Sequence, residues 1–202
     1  MQKVLAQIVS ALLHPLIMPT VGVLAIFLTS SHIFIIPYEA QRVILVIVAI
    51  NTLALPMLMI PLFYKFGIIK SIQMEGHRER IIPLAFTLIP YVFSYYFLNR
   101  LPILNEISLF MLGAILAVFI ALIVSIWWKV SIHMVGIGGI FGLLYALSLR
   151  FQAAGLWFII AAIAAAGLVA WARLSLNAHK PSQVYAGFTL GALAVAFFVT
   201  FV

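Results

Sequence analysis

The chain has 202 residues, of which 66% are hydrophobic and only 7% charged, against about 25% charged in an ordinary soluble domain. A fold of this size cannot hide that much apolar surface from water, so composition excludes a soluble globular enzyme and makes the bilayer the solvent. The net charge is +7 and there is no cysteine, which removes disulfides, thiolate catalysis and thiolate metal sites.

The chain reads as one domain, residues 1–202, an all-α polytopic transmembrane bundle of about seven spans. Met1 to Leu13 carry one cation and an apolar stretch with no small-residue cleavage site after it, which predicts an interfacial helix rather than a signal peptide. His14-Pro15 and Pro19 mark the entry to a first span over Leu16–Ile36. A second covers Val43–Tyr64 and holds Asn51, Pro56 and Pro61; prolines are tolerated where neighbouring helices satisfy the freed carbonyls. After the polar interval Lys65–Arg80 come spans over Ile81–Leu98 (proline-rich and a candidate for a re-entrant segment), Ser108–Trp128, Met134–Leu149, Gly155–Leu174 and Gln183–Val202. Glycines four apart, Gly138 and Gly142, suit close helix packing, and Ala161–Gly167 offers a similar face. Trp127, Trp128, Trp157 and Trp171 lie near span ends, as interfacial aromatics do.

Three polar stretches stand out: Lys70–Arg80, Lys129-Val-Ser-Ile-His133 and Arg173–Gln183. An even number of crossings separates each from the next, so all three are expected at one membrane face. There the chain offers Lys70, Arg78, Arg80, Lys129 and Arg173 as cations, His77, His133 and His179 as nucleophile, acid or base, and Ser131 as a donor. Such a set suits phosphoryl transfer, which needs neutralised oxygens, a nucleophile and a proton source. All four acidic residues are Glu (Glu39, Glu75, Glu79, Glu106) and Asp is absent, which disfavours a site built on Mg²⁺ and carboxylates. No metal and no cofactor are expected. The plain reading of Lys3, Lys65 and Lys180 is interfacial anchoring, of His14 and His32 interfacial placement, of His77 a solvated loop, and of Asn51 a hydrogen bond to a neighbouring helix.

The residues at this face resemble the motifs of the type 2 phosphatidic acid phosphatase superfamily of integral membrane lipid phosphatases. Its third motif, Ser-Arg-x5-His-x3-Asp, is matched by Arg173 and His179, with Ala172 in the Ser position and Gln183 in the Asp position. Its second, Pro-Ser-Gly-His, is present as Val130-Ser131-Ile132-His133. Its first, Lys-x6-Arg-Pro, is degenerate: Lys70 lies eight residues before Arg78, and Pro83 follows Arg80 after two isoleucines. The resemblance covers a core of about residues 65–190 and leaves 1–64 outside it. It implies that His179 is a nucleophile forming a phosphohistidine and that His133 protonates the departing group. Arg173, Ser131, Lys70 and Arg78 or Arg80 would hold the phosphoryl oxygens, with Lys129 close enough to join them. Gln183 would support His179 without the family's negative charge, and weakening such a carboxylate costs on the order of 10⁴ in a serine protease; this implies slower turnover or a substrate with a better leaving group, with Glu75 and Glu79 as candidates for the missing charge.

The implied partners are the bilayer and a phospholipid or polyprenyl phosphate, with no nucleic acid. A lipid-phosphate transporter or flippase, or a noncatalytic binder of the same ligands, is the rival reading. Transporters place ionisable groups near the midplane in repeated halves, which this chain lacks. The resemblance implies a bacterial inner membrane and a site on its outer side. Eight of the eleven Lys and Arg fall on the motif side, which by the positive-inside rule points to the cytoplasm; without the five expected phosphate ligands the count is three against three.

Overall fold

The computed structural model describes residues 1–29, 36–72, 74, 76–101, 105–151 and 155–202. Of the sequence-based expectations, those on His32 and Glu75 and on the end of the first span lie outside the described residues. Among the described residues there is no strand, and seven helical segments are long and apolar enough to cross a membrane, compatible with an integral membrane protein.

The N-terminal segment is α1 (Gln2–Leu12), a 3-10 turn at Pro15–Ile17 and α2 (Met18–Thr29). The break falls where Pro15 cannot donate to the preceding turn; His14 caps the new start by accepting the Leu16 N–H at 3.3 Å through Nδ1. α1 packs against α8, burying only Ala6 and Ser10, while Val4, Leu5, Ile8 and Leu12 stay exposed.

The second span is α3 (Tyr38–Ala49), a π-helical stretch at Ile50–Ala54 and α4 (Leu55–Lys65). Pro56 explains the π turn: it has no N–H for the Thr52 carbonyl, and the ladder widens so that the Leu55 N–H reaches the Ile50 carbonyl. Asn51 donates to Ile47 of its own helix at 3.0 Å rather than to a neighbour.

α5 (Ile81–Leu98) is one continuous helix despite Pro90, so the proline-rich third span is not re-entrant. α6 (Asn105–Val124), α7 (Ile132–Phe151), α8 (Leu156–Ser175) and α9 (Pro181–Phe201) complete the bundle. α7 is the most buried span and packs most closely on α9. The cause is glycine on both sides. A Cβ on Gly138 would strike the Phe188 carbonyl, on Gly142 the Ala192 carbonyl and on Gly191 the Val135 carbonyl; on Gly187 it would lie 2.6 Å from the Ser131 carbonyl. Backbones in van der Waals contact gain dispersion along their whole length, which drives helix association where lipid removes the hydrophobic term. The face on α8 is different: Ala162 and Ala166 are buried, but a Cβ on Gly167 would meet nothing.

Candidate functional site

The starts of α7 and α9 are tied by the Ser131 N–H to the Gln183 carbonyl at 3.2 Å. The spacing of Arg173 and His179 has an equally local cause. α8 ends in a Schellman turn: the Ala178 N–H reaches the Arg173 carbonyl at 3.1 Å and the Asn177 N–H the Leu174 carbonyl at 2.9 Å, with Asn177 left-handed at φ 52°. Asn tolerates that region better than most residues. Lys180 and Pro181 then start α9, with Pro at its first position, where no N–H is needed. Arg173 thus sits on the last turn of one helix and His179 just before the next.

The start of α7 and the α8–α9 connection border one end of a cavity of about 720 Å³. Its polar end is lined by His14, Arg80, His133, Arg173 and His179, and its longer, apolar part by α4 and α5. Each polar stretch identified in the sequence contributes to it. Within the first, however, Lys70 and Arg78 are exposed and lie outside the lining, while Arg80 is buried. Arg78–Arg80 is a single 3-10 turn, three residues per turn, so residues two apart point in different directions and only one of the pair faces inward.

Arg80 donates through Nε to the Met74 carbonyl at 3.2 Å and through Nη1 to the Val130 carbonyl at 3.1 Å, clamping the first loop to the α6–α7 connection. Two of its five N–H donors are thereby used on carbonyls of the described residues. Arg173 donates from Nη1 to Ser10 Oγ at 3.3 Å, and its Nε is buried without a partner among the described residues. Ser131 is fully buried, and its Oγ likewise has no partner. Lys129 is half-buried, and its charge acts on His179.

The hydrogen bonds assign the proton on His179. The Lys180 N–H donates at 3.0 Å to Gln183 Oε1, which makes that atom an acceptor; His179 Nδ1, 3.1 Å from the same oxygen, must therefore carry its hydrogen. Nε2 is left with the lone pair. Burial (8% exposed) and the charges of Arg80, Arg173 and Lys129 push the imidazole down to about 3 against the Gln183 hydrogen bond, so it is neutral at pH 7.

His133 donates from Nε2 to the Ser10 carbonyl at 3.2 Å, which leaves the lone pair on Nδ1, with no hydrogen bond to it among the described residues. His14 meets His133 edge to face with ring centroids 5.4 Å apart. Because His14 Nδ1 accepts from Leu16, its Nε2 carries the hydrogen. His14 is the residue that sequence reasoning missed, although the crossing count that gathers the other stretches also puts the α1–α2 break at this face. His77 is half-buried rather than a free loop residue: it donates from Nδ1 to the Ser125 carbonyl at 2.9 Å, pinning the first loop to the end of α6. Glu79, one of the two candidates for a substitute charge, is not in the lining, and its Oε2 is buried without a partner among the described residues.

The polar end of the cavity thus gathers two guanidinium groups, Arg80 and Arg173, and three imidazoles, His14, His133 and His179. Among the described residues no group of three or more His, Asp or Glu is placed to hold a metal ion. Comparison with known proteins brings no match to a family model, a curated protein or a solved structure.

Proposed function

We propose that the protein is an integral membrane lipid-phosphate phosphatase that hydrolyses a phosphate monoester or pyrophosphate of a lipid through a phosphohistidine, without a metal ion. Its substrate is an amphiphile such as phosphatidic acid or a polyprenyl diphosphate, and the bacterial inner membrane is its setting. The observation that carries this reading is the fixed tautomer of His179, which leaves Nε2 the lone pair in a residue that lines the cavity together with Arg80 and Arg173. The likeness of Arg173, His179, Ser131 and His133 to the lipid phosphatase motifs adds to it.

In the first step Nε2 attacks phosphorus, the P–O bond to the lipid breaks, and the electron pair leaves on the lipid oxygen. Arg80 and Arg173 take up the equatorial oxygens, where negative charge must be held in the transition state; Ser131, fully buried and outside the cavity lining, does not reach them. His133, its Nε2 hydrogen committed to Ser10, turns Nδ1 to the leaving group; protonated there, it gives that proton to the departing oxygen. A water then loses a proton to the same nitrogen, attacks phosphorus and breaks the P–N bond, releasing inorganic phosphate and restoring His179.

The test is phosphate release in detergent from several lipid phosphates with EDTA present. Release that survives EDTA and disappears in His179→Ala is the expected result. His133→Ala should slow poor leaving groups more than good ones. Binding of the lipids without any release would leave a noncatalytic binder, and vectorial movement of intact lipid in vesicles a flippase.

A further inference from the structure

The cavity is much larger than a phosphate, and its apolar part is built by spans that lie partly outside the resemblance. From the polar end it follows one stripe of α4 (Phe63, Met59, Leu55) and one of α5 (Pro83, Thr87, Pro90), down to Asn51. At 1.5 Å per residue, Phe63 to Leu55 is about 12 Å and Pro83 to Pro90 about 10 Å. Asn51 lies midway along the second span, Tyr38–Lys65. The groove therefore runs from the His179 face to about the middle of a 30 Å hydrocarbon layer.

It is also open sideways. Leu55, Phe86, Ile89 and Phe93 line it, yet are 43%, 44%, 54% and 54% exposed, so its mouth lies on the apolar outer surface between α4 and α5. Phe63 and Phe86 meet edge to face at 5.0 Å across it near the polar end. Two features interrupt the backbone ladder along its walls: the π turn at Ile50–Ala54 beside Pro56, and Pro90 inside α5, which brings no N–H.

We propose that this groove seats one hydrocarbon chain of an anionic amphiphile, drawn sideways from the leaflet at the His179 face. The head is set by charge complementarity: Arg80 and Arg173 stand at the polar end of a lining that is mostly apolar beyond it. One leaflet is set by length, since the groove stops near the midplane. One chain is set by volume: 720 Å³ is within the roughly 300–1,000 Å³ of pockets that hold one compact ligand, and here it must also take the phosphate. A second chain stays in the bilayer. Because a chain leaving lipid for an apolar groove gains little transfer free energy, the groove's effect is on position rather than affinity. It fixes the depth at which phosphorus meets His179.

This deepens the phosphatase reading and rests on it for the identity of the head. The probe that tests it is a single-chain alkyl phosphonate, whose C–P bond resists hydrolysis, with a diazirine midway along the chain. In bilayer nanodiscs, adducts on the wild-type protein should concentrate in residues 55–63 and 83–93, and excess unlabelled phosphonate should remove them. The matching alkanol should label there at least fivefold less, and Met59→Trp should cut the phosphonate yield by a similar factor. Adducts spread over the outward faces of α6 and α8, or equal labelling by phosphonate and alkanol, would overturn the groove. Hydrolysis of phenyl phosphate by the wild-type protein reads the head site separately. Hydrolysis with scattered labelling sinks the groove alone; groove labelling with no hydrolysis of this ester or of a lipid phosphate sinks the phosphatase reading alone.

Discussion

Gln183 Oε1 accepts both from the backbone that starts α9 and from His179, so one atom serves a helix end and a tautomer. Gln183→Leu removes both, freeing the imidazole to take either tautomer, and should lower kcat by at least tenfold while costing about 1 kcal/mol in stability, the scale of a lost cap. Gln183→Glu keeps the reach and adds a charge; the shorter Asp sacrifices reach for the same charge. A carboxylate there favours the imidazolium, so the His179 pKa rises from about 3. The nucleophile works unprotonated, and activity is lost as pH falls through its pKa. Wild-type kcat/KM should therefore show no acid limb from this group between pH 7 and 5, whereas Gln183→Glu should bring one into that range with a higher plateau. An unchanged profile and plateau in Gln183→Glu would show that charge at this position is not limiting. The stability sign follows from the same depression. The unfolded chain binds a proton near the usual 6.5 and the folded one does not, so the contribution of His179 is complete above pH 6.5 and is lost as pH falls from there toward 3.

α7 carries His133 and α9 begins just after His179; the backbones of these two helices touch, and that contact is sensitive to single atoms. Gly191→Val should destabilise the protein by at least the 1–3 kcal/mol of ordinary overpacking, roughly, because what it meets is the Val135 carbonyl rather than a side chain that can move. Gly167→Ala on α8 meets nothing and should be neutral or stabilising by up to about 1 kcal/mol. Thermal unfolding in one detergent compares the two; equal effects would contradict the packing account. The glycine spacing on α7 was readable in the sequence because four-residue periodicity is a property of one helix. The π turn was not, since proline predicts a disturbed ladder without saying how it is repaired. Asn177 falls between: a Schellman turn needs a left-handed residue after the helix, and Asn there is a legible signal once the end of α8 is placed. Asn177→Gly should retain activity and Asn177→Val should lose it, since a β-branched side chain resists φ 52° and shifts His179.

Across the whole molecule, the spans and their count were legible because hydropathy and length decide them, and the shared face of the polar stretches follows from parity alone. Side-chain direction was not legible. Arg80 turns inward and Arg78 outward on one 3-10 turn, Lys70 is exposed, and His14 gains a role only because α1 breaks beside His133. Absence of native cysteine makes the parity directly testable: Lys70→Cys and Lys129→Cys should react with an impermeant maleimide from one side of intact vesicles, and Arg100→Cys from the other. Reaction of Lys70→Cys and Lys129→Cys from opposite sides would break the site apart. The central claim concerns one atom, His179 Nε2, and its most direct measurement is capture of the phosphoenzyme. Protein mixed with a ³²P-labelled lipid phosphate in EDTA and quenched in alkali should carry acid-labile, alkali-stable label on the peptide containing His179, and none in His179→Ala. Phosphate released at the normal rate by His179→Ala, or label on another residue, would contradict it.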